Sequence, residues 1–173
     1  MNTPIPDSYW VRPGQLLAGE YPRTPDEAES RLKLRRFLAA GVNFFLNLTE
    51  ASEYSLQPYH ELLQSEAARG GYSVEHQRMS IPDFSVPSPA QMIQILDTLE
   101  TALASRRVVY VHCFGGIGRT GTVIGCYLVR HGLSGDAALA ELARLRQNIP
   151  DGRRSSPETE AQRRLVQVWE IGK

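Results

Sequence analysis

Apolar residues in this chain fall into two patterns, short runs and a three-to-four-residue spacing, which alternate along its length. The short runs predict five strands, at residues 9–11, 15–18, 42–48, 72–79 and 107–111. The first two lie on either side of Arg12-Pro13-Gly14, where the Pro-Gly pair predicts a tight turn. The later strands are separated by segments long enough to hold a helix.

Capping residues indicate where those helices begin. Thr24-Pro25-Asp26-Glu27 predicts an N-cap at Thr24, a proline in the first turn and a capping-box glutamate, and Gly41 ends that helix. Ser88-Pro89 repeats the signature ahead of apolar residues at helical spacing. Further helices are predicted at about 58–69, from the glycine-rich turn to His131, after Ser134, and after Ser156 with Pro157 at its first position.

Strands that alternate with helices predict an α/β fold with a central, mostly parallel sheet flanked by helices. The length of 173 residues suits a single domain spanning residues 1–173. In such sheets, ligands bind beyond the carboxyl ends of the strands. We therefore look for the site directly after a predicted strand.

Composition narrows the range of partners. Lys plus Arg and Asp plus Glu both number 19, so the net charge is zero and we expect no nucleic-acid partner. Only two cysteines occur, which favours a reducing compartment over a disulfide framework. The N-terminal residues show no signal-peptide pattern and no stretch approaches the length of a membrane span. We expect a cytoplasmic protein with no membrane partner.

A glycine-rich segment follows the strand predicted at 107–111. Its three glycines in four positions allow successive N–H groups to face inward and bind an oxyanion at the mouth of the next helix. The same groups favour Cys113 as a thiolate, the form that attacks phosphorus. The planar fork of Arg119 can hold two phosphoryl oxygens. The phosphate-binding residues are predicted to be Phe114, Gly115, Gly116, Ile117, Gly118 and Arg119.

His-Cys-x5-Arg-[Ser/Thr]-Gly resembles the signature of the protein tyrosine phosphatase superfamily, and the chain length resembles its compact dual-specificity members. A rhodanese loop has four residues between Cys and Arg, where this chain has five. The resemblance implies that Thr120 donates a hydrogen bond to the leaving sulfur. It also implies that His112 fixes the loop behind the cysteine.

The structural alternative for this segment is a glycine-rich turn with a buried cysteine. That interpretation leaves Arg119 unexplained, since a charge at a strand-to-helix turn needs an anion or a carboxylate as its partner. Thr120 could equally be an ordinary first-turn residue, and His112 a core histidine with a satisfied partner. Cys126, about two turns into the following helix, is predicted to be a small buried residue rather than a redox partner of Cys113.

Expelling an alkoxide or phenolate from phosphorus requires a proton donor. Asp83 is the candidate acid, in a loop where two prolines restrict the backbone between a strand and a capped helix. The resemblance implies a general-acid Asp about thirty residues before the cysteine. Asp83 precedes Cys113 by 113 minus 83, which is 30 residues. The alternative is an Asp that serves turn chemistry alone, in which case Glu50 and Glu53 are the next candidates.

The phosphate-binding segment, residues 113–119, is called the cradle below, and its side chains bear on the substrate class. Residues 114–118 include no Lys or His, which favours a single phosphoryl group on a protein over an inositol phosphate. We therefore expect a cysteine-dependent phosphatase of phosphorylated proteins or peptides, without metal or cofactor. The alternatives are a phosphoinositide or RNA 5'-triphosphate phosphatase, or a non-catalytic phosphate-binding module.

Residues outside the cradle complete the predicted site. Gln162 lies in a segment that resembles the one in which some family members position the water for the second step, although it could equally be a solvated helix residue. The loop residues expected to line the pocket, or to be only solvated surface, are Arg12, Glu50, Glu53 and Tyr54.

Overall fold

A five-stranded sheet with strand order β1-β2-β5-β3-β4 forms the centre of the molecule. The computed structural model describes residues 2–170 and 172–173. Its strands are β1 (Ser8–Arg12), β2 (Leu16–Gly19), β3 (Phe44–Asn47), β4 (Glu75–Arg78) and β5 (Val109–His112). Its helices are α1 (Glu27–Ala39), α2 (His60–Gly70), α3 (Pro89–Ala104), α4 (Gly118–Arg130), α5 (Gly135–Arg146) and α6 (Glu160–Val168), and short 3₁₀ turns cover Glu53–Ser55 and Pro150–Arg153.

The strand pairing brings several chain segments to one edge of the sheet. β1 and β2 are antiparallel, whereas β2–β5, β3–β5 and β3–β4 are parallel. Gly19 of β2 and Asn47 of β3 both lie opposite His112 of β5. The loops after these strands therefore start side by side, which confirms the predicted mostly parallel α/β sheet with a cradle between a strand and a helix.

Alternate side chains of the central strands β3 and β5 pack into two apolar cores, one on each face of the sheet. Phe45 and Tyr110 pack against residues of α1 and α2 on one face. Leu46 and Val111 pack against residues of α3 to α6 on the other. Full burial of one such side chain contributes about 1.5–3 kcal/mol, so the central strands are fixed from both sides. β5, which leads into the cradle, is buried along its whole length.

Two of the predicted helix caps are wrong. α1 is capped by Asp26, whose carboxylate accepts from the N–H of Glu29, and not by Thr24. α6 is capped by Thr159 in a capping box with Gln162, and not by Ser156. In both cases several cap-forming residues lie within a few positions, and tertiary contacts decide between them. The predicted caps Ser88 and Ser134 are confirmed.

The described helices are short relative to a lipid bilayer. α3, the longest of them, has 16 residues. Within residues 2–170 and 172–173, no helix has the length and apolar character needed to cross a membrane.

Candidate active site

The cradle, residues 113–119, begins directly after β5 and is held by neighbouring backbone. Cys113 is almost fully buried, with 3% of its surface exposed. The N–H of Tyr21 donates to the carbonyl of Phe114 at 2.7 Å. Gly116 has φ +68°, and a Cβ there would lie 2.4 Å from the carbonyl carbon of Gly19. This position therefore requires glycine, since both the backbone conformation and the space exclude a side chain.

Backbone N–H groups of the cradle are left free for an anion. Those of residues 114–117 donate no hydrogen bond within the described part of the chain. The first N–H groups of α4, which begins at Gly118, lack intrahelical acceptors because of their position. Together they provide a set of donors at a positive helix end, which is the arrangement that binds phosphate.

His112 fixes the carbonyl side of the cradle. Its Nδ1 lies 3.1 Å from the carbonyl oxygen of Cys113, and its Nε2 lies 2.6 Å from the hydroxyl of Tyr59. A carbonyl only accepts, so Nδ1 carries the proton and Nε2 accepts from the tyrosine. Burial lowers the pKa of His112 to about 3, which keeps the ring neutral. The geometry agrees with a loop-fixing role and leaves no free ring nitrogen for proton transfer.

Thr120 lies in the first turn of α4 and is fully buried. Its hydroxyl has no hydrogen-bond partner among the described residues. The bond to the Cys113 sulfur that the family resemblance implies is thus not formed in this structure. A buried hydroxyl without a partner is costly, so a bond that forms during the reaction would be favourable.

Arg119 is the centre of the ionic network beneath the pocket. Its Nη1 and Nη2 each donate to one carboxylate oxygen of Glu53, both at 2.6 Å. Nη1 also donates to the carbonyl of Ile81 at 3.1 Å. Nη2 lies 3.0 Å from a carboxylate oxygen of Asp83. Two carboxylates therefore balance the charge of Arg119, and the expectation that a structural turn would leave this charge unexplained does not hold.

One nitrogen of the Arg119 guanidinium, Nε, remains without a partner among the described residues, unlike the nitrogens of an arginine that serves only a structural role. Nε of Arg119 is buried and has no hydrogen-bond partner within residues 2–170 and 172–173. Burial works against the charge of Arg119, but the hydrogen bonds to Glu53 and the charges of Cys113, Glu53 and Asp83 together outweigh it and raise its pKa. A permanently charged, partly unsatisfied guanidinium beside the cradle is ready to bind a phosphoryl oxygen.

Asp83 lies in the acid loop, residues 80–88, and its carboxylate reaches the same pocket. One oxygen is 3.0 Å from Arg119, and the other accepts a hydrogen bond from the hydroxyl of Tyr54 at 2.5 Å. That hydrogen bond raises the pKa of Tyr54. About a quarter of the Asp83 side chain, 25%, is exposed to solvent. Asp83 is thus close to the cradle and accessible to a bound substrate.

The pocket above the cradle has a volume of about 190 Å³. Three aromatic side chains, Tyr54, Phe84 and Phe114, form its rim and are about half exposed. The rings of Tyr54 and Phe114 are 5.4 Å apart. Arg154 and Glu158, joined by a 2.8 Å ion pair, form part of the wall. Tyr54 was predicted as a residue that could line the pocket, whereas the Arg154–Glu158 pair was not predicted.

Other candidates lie elsewhere. Arg12 donates to Tyr127 on another face at 3.2 Å, and Glu50 is an exposed residue that does not line the pocket.

Cys126 is buried as predicted, and burial raises its pKa to about 12. Gln162 is 1% exposed, which excludes the solvated alternative. Among the described residues, no group of three His, Cys, Asp or Glu side chains could hold a metal ion.

The chain matches a family model across nearly its whole length. Residues 6–166 match the PTP-SAK model, described as a Swiss Army Knife protein, DSP-PTPase phosphatase domain. The chain belongs to this family. It is therefore a compact, dual-specificity phosphatase-like member of the protein tyrosine phosphatase superfamily, as the signature around Cys113 predicted.

Known proteins resemble this phosphatase domain in sequence and in fold. Dual specificity protein phosphatase CDC14A of Homo sapiens is 30% identical over 129 residues, which cover 72% of this chain and 20% of that protein. The domain spans a small part of its first two curated relatives, 11% and 19% of their lengths. The structure titled Tk-PTP in the active form is 27% identical, with a TM-score of 0.72, and the match covers 95% of this chain and 97% of that one.

A structure of PTPMT1 in complex with PI(5)P shares the fold of this phosphatase domain. Its TM-score is 0.69 at 20% identity, and the match covers 94% of each chain. At this level of identity the similarity concerns the fold alone.

Proposed function

We propose that this domain hydrolyses phosphate monoesters on proteins through a phosphocysteine intermediate at Cys113. Its substrates would be phosphotyrosine and, in addition, phosphoserine or phosphothreonine. The main support is that Cys113, Arg119 and Asp83 line one pocket although Asp83 comes from a separate loop. We further propose that residues 1–173 form a single dual-specificity/tyrosine phosphatase-like domain.

In the first step, the Cys113 thiolate attacks phosphorus while the cradle N–H groups and the free edge of Arg119 hold the phosphoryl oxygens. The sulfur–phosphorus bond forms and the phosphorus–oxygen bond to the substrate breaks. Asp83 gives its proton to the departing oxygen. Asp83 contacts Arg119 in this structure, so its carboxyl lies beside the guanidinium that holds the phosphoryl group.

In the second step, water attacks the phosphocysteine. Asp83, now a carboxylate, accepts a proton from that water, and the sulfur–phosphorus bond breaks to give inorganic phosphate. Thr120 donates its unpartnered hydroxyl to the departing thiolate. His112 keeps the cradle carbonyl in place. Gln162 remains a candidate for positioning the water.

The pocket rim supports a phosphoprotein substrate. The exposed aromatic rings of Tyr54, Phe84 and Phe114 offer apolar faces to a phosphotyrosine ring, with the phosphoryl group reaching the cradle. The names of the CDC14 relatives describe dual-specificity protein phosphatases. No nucleic-acid or membrane partner is proposed, and the chemistry requires no metal or cofactor. Cys113 must stay reduced, which suits a cytoplasmic location.

One observation favours a second candidate, a phosphatase of phosphoinositide headgroups. Arg154 on the pocket wall is a cation outside the cradle, where a second phosphate of a ring could bind. The candidates for RNA 5'-triphosphate and for a non-catalytic module have no such support. Binding alone needs neither a thiolate nor a positioned acid.

A substrate panel tests the proposal. Phosphotyrosine and phosphothreonine peptides, a phosphoinositide and an RNA 5'-triphosphate are each assayed for phosphate release with a chelator present, with Cys113→Ser protein as the blank. We expect the highest kcat/KM on a phosphopeptide. A higher kcat/KM on the phosphoinositide would favour the second candidate, and no release from any substrate would contradict a catalytic role.

A further inference from the structure

Gln162 uses its buried amide to join three backbone positions. Its Oε1 accepts from the N–H groups of Glu158 and Thr159, each at 3.1 Å. Its Nε2 donates to the carbonyl of Ser85 in the acid loop at 3.1 Å. The oxygen thus completes the cap of α6, while the nitrogen reaches a segment 77 residues away in sequence. These two functions lie on different atoms of one side chain.

The contact between Gln162 and Ser85 supports the part of the acid loop beyond Asp83. Residues 80 and 81 are fixed by hydrogen bonds to the chain around Leu48 and Thr49. Beyond Asp83 the loop is less supported, and Phe84 has φ +55° and is 57% exposed. Among the described residues, the Gln162–Ser85 bond is the one hydrogen bond that joins residues 84–87 to a segment outside the acid loop.

The segment just before α6 is hydrogen-bonded to the cradle. Ser156 donates its hydroxyl to the carbonyl of Ile117 at 2.7 Å. A Cβ on Gly118 would lie 3.0 and 3.1 Å from the amide atoms of Gln162, so only a glycine lets the amide pack against the cradle this closely. A segment fixed to the cradle therefore extends one donor to the acid loop.

We propose that Gln162 is a positioning residue that holds the acid loop over the cradle, so that the Asp83 carboxyl meets the leaving oxygen. This inference rests on the proposed function, in which Asp83 is the acid. It differs from a water-positioning role, which would act in the second step. Three of the four hydrogen-bonding positions of the amide are already used on backbone, which favours the tether.

The two roles predict different kinetics, because a tether acts on leaving-group departure and a water-positioning group acts afterwards. Gln162→Met keeps the length of the side chain but removes both polar atoms. On a phosphotyrosine peptide we expect kcat to fall at least about tenfold and the basic limb of its pH profile to flatten. On an aryl phosphate whose leaving group needs no proton, the first-step rate, measured as the burst, should stay within about twofold of wild type.

Thr159→Ala is the matched control for the helix cap. Thr159 accepts the reciprocal capping bond from the N–H of Gln162, and its loss leaves the Gln162–Ser85 contact in place. Its kcat should stay within about twofold of wild type on both substrates. A Thr159→Ala protein that shows the same leaving-group dependence as Gln162→Met would assign the effect to the cap and overturn the tether.

The remaining outcomes also decide the proposal. Unchanged first-step rates of Gln162→Met on both substrates, with phosphoenzyme accumulating in rapid-quench samples, would assign Gln162 to the water of the second step alone. Unchanged rates of both steps on both substrates would show that it only caps α6. If Gln162→Met does not fold, Gln162→Glu is tested for the same ratio of first-step rates, since it keeps a capping oxygen and removes the donor to Ser85.

Asp83→Asn is measured in the same series to separate this inference from its premise. If Asp83→Asn shows no leaving-group dependence, the acid assignment fails and the tether fails with it. If Asp83→Asn shows the dependence and Gln162→Met does not, the tether alone is overturned and the proposed function stands.

Discussion

Glu53 and Arg119 form a two-pronged ion pair beneath the pocket, with both nitrogen–oxygen distances at 2.6 Å. The two side chains are almost fully buried, at 6% and 1% exposure. Because each prong fixes one terminal nitrogen, the guanidinium has a single orientation, with its Nε left unpaired. The ion pair therefore sets the direction in which Arg119 presents its remaining donor, the Nε N–H, to a phosphoryl group.

We predict that Glu53→Gln destabilises the protein and weakens anion binding. Breaking a buried ion pair costs up to about 3 kcal/mol, and here Asp83 still offsets part of the charge of Arg119. Thermal unfolding and the Kd for vanadate measure the two effects. Glu50→Gln, an exposed neighbour, is the control and should behave as wild type. If the two variants are equally stable and bind vanadate equally well, Arg119 is held by something other than Glu53.

Arg119→Lys should lower kcat/KM on the order of a hundredfold or more, since a lysine keeps the charge but cannot hold two oxygens in one plane. The comparison uses protein whose unfolding midpoint is shown to be close to that of wild type. A rate within a few fold of wild type would mean that Arg119 serves only to neutralise Glu53 and Asp83.

Asp83→Asn should slow hydrolysis of phosphotyrosine or phosphothreonine by about two to four orders of magnitude, the usual effect of removing a positioned acid. An aryl phosphate with a very acidic leaving group should be affected much less in its first step, which burst kinetics measure. The basic limb of the pH–rate profile should flatten. Equal losses on both substrates, or an unchanged basic limb, would show that Asp83 only shapes its loop.

Acidification should destabilise the fold through buried histidines. Burial lowers the pKa of His112 from 6.5 to about 3 and that of His76 to about 4. Below pH 6.5 the unfolded chain therefore binds protons that the folded chain does not. The free energy of unfolding accordingly decreases as the pH is lowered. For each histidine the slope is about half of 1.4 kcal/mol per pH unit at pH 6.5, and it approaches about 1.4 kcal/mol per pH unit near pH 5.

Urea unfolding of wild type and of His112→Gln between about pH 5 and 6.5 measures this dependence. The variant should lose about half of the wild-type slope, because His76 still titrates. Identical slopes would show that His112 is not kept neutral by burial.

Residues within the cradle could be predicted because their chemistry is local. The spacing of Cys113 and Arg119, the glycines between them and the preceding strand are all adjacent in sequence. Asp83 could be predicted for a different reason, since the leaving group demands an acid and the loop composition offered one. The fold could be predicted because its strands and helices have patterns that are regular over many residues. The observed five-stranded sheet confirms this prediction.

The Glu53–Arg119 pair could not be predicted, because 66 residues separate the two and no local pattern links them. Glu53 was expected only as a pocket-lining residue or as a substitute acid. Gln162 was predicted as a second-step residue, whereas the Ser85 contact depends on how α6 docks beside the cradle. Helix caps show the same limit, since Thr159 rather than Ser156 caps α6 once Ser156 is used by the cradle.

The most direct test of the central claim is to detect the phosphocysteine. Asp83→Asn is mixed with an aryl phosphate that has a very acidic leaving group, quenched rapidly and examined by peptide mass spectrometry. The first step needs no acid on this substrate, whereas the second lacks its base, so the intermediate should accumulate. We predict one phosphoryl group on Cys113 and none on Cys113→Ser/Asp83→Asn protein. Turnover by Cys113→Ser, or a phosphoryl group on another residue, would contradict the account.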